Sequence, residues 1–175
     1  KRRIINGEDA DVIQLHPMKH TFAWDAYLAG NANHWLPNEI AMQDDIELWK
    51  SDKLTDDERN AFETALGFFT TADSIAANNI ALAHISSPEC RMYLLRQSYE
   101  EAIHTQAYQY IVESLGLDGG KIFNMYRENA SHHSKAKFIL GFNEGIFADD
   151  FHTGTFENDQ KFLENLCVFS LILEG

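Results

Sequence analysis

Apolar residues recur at helical intervals of three and four over residues 56–84 and 88–115, and no segment of the chain shows a convincing strand alternation. The first stretch opens with Thr55-Asp56-Asp57-Glu58, a capping box in which Thr55 caps the helix and Glu58 reaches back to it. The second opens with Ser87 as N-cap and Pro88 as first helical residue, and closes at Gly116, a glycine suited to the left-handed C-terminal position. Shorter helices are predicted around 22–28, 38–50, 121–130 and 133–147, with a last one from about Asn158 onward. Gly30 to Asn33 and Asp118-Gly119-Gly120 read as turns, and residues 1–20 as extended or irregular. The fold class is therefore all-α, in a single domain spanning 1–175.

Three polar residues break the apolar seams of the two long helices. In the first, the seam runs Phe62, Leu66, Phe69, Asp73, Ala76, Ile80, so Asp73 takes a core-facing slot. In the second, Leu94, Glu101, His104, Tyr108, Ile111 and Leu115 share a face, and Glu101 and His104 again hold core positions. The stretch from His84 to Ser87 is the only plausible turn between the helices, which makes a helical hairpin. Asp73 and Glu101 each stand fourteen residues from Ser87, so antiparallel helices of equal rise bring them to the same height. A further carboxylate, Glu174, follows the run Leu166 to Leu173, which is apolar on every side and marks a helix enclosed by others.

Each residue alone has a plainer reading. Asp73 can cap a helix or pair with an arginine, a Glu-x-x-His pair is commonly a solvated face, Tyr108 suits a core with its hydroxyl bonded, and Glu174 can sit at a frayed end. Convergence in one layer changes the weighing: two carboxylates and an imidazole, with a tyrosine one turn from His104, describe a site.

Composition narrows the class. With 27 acidic against 14 basic residues the formal charge is −13, which argues against a nucleic-acid partner. Two cysteines, Cys90 and Cys167, are too few for a disulfide framework and point to a reducing, cytoplasmic setting. The longest apolar run is far too short to cross a bilayer, so no membrane partner is expected. The chain begins without methionine and stops just after an apolar helical run, the pattern expected of part of a longer polypeptide.

Buried carboxylates with histidine on facing helices are the donor set of a carboxylate-bridged dimetal site, and oxygen donors with a little nitrogen favour iron or manganese. Four segments add a resemblance: Asn33-His34-Trp35-Leu36-Pro37-Asn38-Glu39, Asp45-Ile46-Glu47-Leu48-Trp49-Lys50-Ser51, Gly67-Phe68-Phe69-Thr70-Thr71-Ala72-Asp73-Ser74 and Glu100-Glu101-Ala102-Ile103-His104-Thr105-Gln106-Ala107-Tyr108. From about residue 9 to 175 the chain resembles the radical-bearing small subunit of class I ribonucleotide reductase, whose fold is a ferritin-like helical bundle with a central antiparallel helix pair.

The resemblance implies a role for each matching residue. Asp73 is similar to the terminal aspartate on the first metal, Glu101 to the bridging glutamate, His104 to the first metal's nitrogen ligand, and Glu174 to the second metal's first glutamate. Tyr108 matches the tyrosine oxidised to a radical, and Trp35 the tryptophan that relays an electron and proton through His104. The implied cofactor is a dinuclear centre of two irons, with dimanganese or manganese–iron occupancy as alternatives. It activates oxygen and oxidises Tyr108, and the radical serves ribonucleotide reduction in the large catalytic subunit. That subunit is the implied partner, and the small subunit itself is expected as a homodimer. The family's second Glu-x-x-His and its C-terminal relay tail are missing from 1–175, so four of six expected ligands are present. A ferritin-like storage protein or oxidase, a ligand-binding oxidase of the same superfamily, and a metal-free helical interaction module are the rival readings.

Overall fold

Local capping chemistry sets where the long helices begin and end, as seen in a computed structural model that describes residues 3–8, 12–78 and 82–173. The elements in chain order are α1 (Thr21–Ala32), α2 (Gln43–Lys50), α3 (Asp56–Asn78), α4 (Pro88–Leu115), α5 (Gly119–Glu128), α6 (Ala130–Gly141) and α7 (Phe156–Cys167), and a π-helical turn, Val168–Leu173, follows α7. No strand occurs among the described residues. At the start of α3 the Thr55 N–H donates to Glu58 Oε2 at 2.8 Å and the Glu58 N–H donates to Thr55 Oγ1 at 3.2 Å, the reciprocal box expected from the sequence. Ser87 Oγ accepts the Cys90 N–H at 3.3 Å and so caps α4. At the other end Gly116 adopts φ +67°, the Leu117 N–H reaches Val112 O at 2.9 Å and the Gly116 N–H reaches Glu113 O at 3.2 Å, which is a Schellman closure.

Several boundaries differ from the sequence reading. The helix predicted over 22–28 runs through to Ala32, so Gly30 is helical and no turn begins there. The helix predicted over 38–50 divides into a 3₁₀ turn, Pro37–Glu39, and α2. Helix α3 is described to Asn78; residues 79–81, including the seam position Ile80, lie outside the described residues, and Leu82–His84 form a 3₁₀ turn. The helix expected over 133–147 is shifted, starting at Ala130 and ending at Gly141.

The chain forms two compact units. The first comprises Lys1–His34, Ala76–Glu100 and Ile139–Gly175. Its core gathers Ala23, Ile85, Cys90, Ile146, Phe151 and Phe162, with Ile146 and Phe162 wholly enclosed. His84, expected in a turn, packs edge-on to Phe151 and Phe162 while its Nε2 bonds Ile146 O at 3.1 Å. The second unit comprises Trp35–Ile75 and Glu101–Phe138. Leu66, Val112, Ile122 and Met125 form its core, and Tyr108, Ile111, Leu117 and Phe123 pack against them. Each fully buried side chain of this size contributes about 1.5–3 kcal/mol over its exposed state. Within the same unit the Arg59 guanidinium lies over the Trp49 ring at 4.9 Å and donates to Ser51 O at 2.7 Å, tying the end of α2 to the first turn of α3.

Burial along the two seams is uneven. Leu66 and Ala76 are enclosed as expected, but Phe62 and Phe69 are exposed to 40% and 47%. A helical period marks a face, and how much of that face is covered depends on what packs against it.

Candidate metal centre

Asp73 on α3 meets Glu101 and His104 on α4 inside the second unit, and one ligating atom from each lies within 4.8 Å of the others. The pairing follows from the helix period: Glu101 and His104 are three apart and share a face, while Asp73, Phe69 and Leu66 step along the facing side of α3. Asp73 contacts His104 and Tyr108, Phe69 contacts Tyr108, and Leu66 joins Val112 in the core. Descending numbers on α3 meet ascending numbers on α4, so the two segments are antiparallel. The layer expected from the common distance to Ser87 is the one observed, and the described part of the connection begins with the 3₁₀ turn Leu82–His84, ahead of the turn expected over His84 to Ser87.

The carboxylates are held by a single imidazole nitrogen. His104 Nδ1 stands 3.2 Å from Glu101 Oε2 and 3.3 Å from Asp73 Oδ2. Glu101 is 2% exposed, so its charge is costly without a counter-ion. The hydrogen bond to Asp73, and then that to Glu101, raise the imidazole pKa from 6.5 to about 10 against the opposing effect of burial. A proton on His104 is thus the positive charge that balances the layer.

That arrangement fits a divalent cation. Donors sharing one ion at roughly 2.0–2.3 Å lie no more than about 4.6 Å apart, so the cluster needs to contract by only a few tenths of an ångström. Two carboxylates and one imidazole are hard and borderline donors, which suit iron or manganese. An ion bound there would take the place of the His104 proton, since a ligating imidazole is neutral.

Two aromatic residues complete the neighbourhood. The Tyr108 hydroxyl donates to Asp73 Oδ2 at 2.6 Å, and the Trp35 ring stacks on His104 with centroids 6.2 Å apart and planes at 29°. Asp73, Glu101, His104, Tyr108 and Trp35 are therefore brought together within one unit. Glu174, expected as a ligand of the second metal, lies outside the described residues. Sequence reasoning took Phe69 as a seam residue; in the structure its ring lies parallel to Tyr108, at 6.4 Å and 13°. The spacing of four between Phe69 and Asp73 was the available signal, because it places both on one face.

A second buried carboxylate was not singled out from sequence. Glu89, on the first turn of α4 in the first unit, is wholly enclosed and accepts the Lys19 N–H at 2.6 Å, the His20 N–H at 3.4 Å and the Ser87 hydroxyl at 2.9 Å. Burial pushes its pKa up, but these donors together with its own backbone N–H prevail and hold it at about 2, against an ordinary 4.5.

Known proteins resemble this chain in sequence and fold. The family model for the ribonucleotide reductase small chain matches residues 12–175. The ribonucleoside-diphosphate reductase subunit beta of Chlamydia pneumoniae is 47% identical over 178 residues, covering 100% of this chain and 51% of that protein. The corresponding subunit of Aquifex aeolicus is 33% identical, covering 83% of this chain and 22% of its own length. Among solved structures, the ribonucleotide reductase R2 subunit from Clostridium botulinum superposes with a TM-score of 0.85 at 29% identity, over 99% of this chain and 53% of that one. The chain thus spans about half the length, or less, of these relatives. An all-helical fold of the ferritin-like kind, a carboxylate–histidine cluster on two antiparallel segments, and a family match over nearly the whole chain agree: the chain belongs to the ribonucleotide reductase small-chain family.

Proposed function

We propose that the protein to which these residues belong is the radical-generating small subunit of a ribonucleoside-diphosphate reductase, with Asp73, Glu101 and His104 as ligands of a dinuclear centre and Glu174 as a further ligand. The observation that carries the reading is the 2.6 Å hydrogen bond from the Tyr108 hydroxyl to Asp73, a residue of the candidate ligand layer. When bound, a pair of irons, or manganese in either position, supplies a one-electron oxidant beside this layer.

The residues then divide the work. Tyr108 is the group that gives up an electron, and its phenolic proton has an acceptor already in place at Asp73 Oδ2. Packing of the Tyr108 ring against the Leu66, Val112, Ile122 and Met125 core keeps water from that side of it. Trp35, stacked on His104, is the aromatic group placed to carry an electron to and from the layer. The partner is the large catalytic subunit, where ribonucleotide is bound and reduced, and the small subunit works as a homodimer in the cytoplasm. No helix among the described residues is long and apolar enough to cross a membrane.

The test is Tyr108→Phe in the protein at the full length of its relatives. Only a hydroxyl is lost, so metal content and fold are retained while the tyrosyl signal in electron paramagnetic resonance and ribonucleotide reduction both disappear. Full reductase activity in this variant overturns the tyrosyl mechanism and places the oxidant on the metals.

A further inference from the structure

One face of α3 touches Tyr108 at two points. Asp73 Oδ2 accepts its hydroxyl at 2.6 Å, and Phe69, one turn earlier, lays its ring parallel to the phenol with centroids 6.4 Å apart and planes at 13°. Residues four apart on a helix stand one above the other, so the two contacts meet the oxygen and the ring of the same side chain.

The two contacts restrain different motions. The phenolic oxygen lies on the axis through Cβ, Cγ and Cζ, about which the ring turns. A hydrogen bond donated from that oxygen fixes where the end of the side chain sits and restrains the turning angle only weakly, through the preference of a phenolic O–H for the ring plane. This angle is intrinsically soft in tyrosine, since the torsion joins an sp³ to an sp² carbon and its wells are broad. Packing against the ring restrains it: the Leu66, Val112, Ile122 and Met125 core lies against Tyr108, and Phe69 adds a nearly parallel ring, an arrangement in which offset aromatic rings at this separation attract one another.

The geometry points to Phe69 as a positioning residue that sets the ring angle of Tyr108. This rests on the proposed function for its meaning, because in a tyrosyl radical the angle between the ring π-system and the β C–H bonds sets how strongly the unpaired spin couples to the β hydrogens. Phe69 is 47% exposed and is not among the residues packed into the Leu66, Val112, Ile122 and Met125 cluster. Its ring lies near Phe68, tilted by 58° at 5.9 Å, and beside Tyr108, to which it is nearly parallel.

The experiment uses the protein at the full length of its relatives, labelled with 3-fluorotyrosine, with Tyr108→Phe identifying the resonance. In the metal-free protein, fluorine NMR is expected to give two resolved lines for Tyr108, one for each ring orientation in slow exchange. Phe69→Leu, which keeps an apolar side chain but removes the ring, merges them into one averaged line; Phe69→Tyr, which restores a ring, keeps both. In the oxygen-treated, metal-loaded protein, Phe69→Leu broadens the β-hydrogen splitting of the radical at unchanged metal content. A single averaged line in the unsubstituted protein, or two unchanged lines in Phe69→Leu, overturns the assignment. Merging of the lines in a protein that forms no radical at all supports the assignment and overturns the proposed function instead.

Discussion

Replacing Glu89 by glutamine tests whether a fully enclosed carboxylate anchors the start of α4. Oε1 takes the backbone N–H groups of Lys19 and His20, and Oε2 takes the Ser87 hydroxyl. With its own proton committed to Glu89, Ser87 Oγ accepts a hydrogen from His20 Nδ1 at 3.0 Å, which makes that ring nitrogen the donor. Glutamine has nearly the same shape and its carbonyl can still face the two amides. Its NH₂ group then faces Ser87, so the hydroxyl must turn and the His20 tautomer must change. A hydrogen bond to a charged group contributes about 1.5–3 kcal/mol against about 0.5–1.5 for a neutral one. Losing charge assistance in the two short bonds therefore costs about 2 kcal/mol at neutral pH, or roughly 4–8 °C in melting temperature for a chain of this size. Glu89→Ala costs more, because buried amides lose their acceptor altogether.

The sign of the pH dependence is fixed by the depressed pKa. The unfolded carboxyl titrates near 4.5 and the folded one near 2, so the stabilisation is fully present above pH 4.5 and is lost as the pH falls toward 2. Thermal and urea unfolding of the parent and Glu89→Gln forms, compared at neutral pH and at points below 4.5, give the assay. The gap between the two proteins closes on acidification. A gap under about 0.5 kcal/mol at neutral pH, the size of an ordinary surface substitution, or one that stays constant on acidification, refutes the reasoning.

Two further predictions concern the second unit. A Cβ at Gly67 would collide with Met125 Sδ and stand 3.0 Å from Met125 Cβ, so α5 sits too close to α3 for a side chain there; Gly67→Val is expected to lower stability by about 1–3 kcal/mol of overpacking, read from the urea midpoint, and an unchanged midpoint would show that α5 can move away. Glu101→Ala removes a proposed ligand, so the metal affinity of the full-length protein should fall by more than the roughly 10–100-fold typical of losing an outer-shell partner. Retention of the full complement in direct metal analysis would remove Glu101 from the ligand set.

What the sequence determines by itself is whatever depends on near neighbours in the chain. The Thr55–Glu58 box, the Ser87 cap and the Gly116 closure each involve residues at most five apart, and all were legible before any packing was known. The Asp73, Glu101 and His104 layer was legible too, because helical rise converts equal distances from Ser87 into equal heights. Its three polar residues also stand out, since they interrupt seams that are otherwise apolar. The motifs around Trp35, Asp73 and Glu101 carried the family.

Tertiary structure decided the rest. Gly30 continues a helix, which its intrinsic cost argues against, and the Arg96 guanidinium bonds its carbonyl at 2.8 Å from a residue far along the chain. Phe62 and Phe69 share a seam with Leu66 yet stay half-exposed, because burial belongs to the surfaces that meet and not to the period. The enclosure of Glu89 depends on Lys19 and His20, about seventy residues earlier, and the shift of His104 depends on a carboxylate from another helix. Period and capping are written in neighbouring residues; desolvation, ring contacts and proton affinity arise only when distant residues come together, so they are properties of the folded chain.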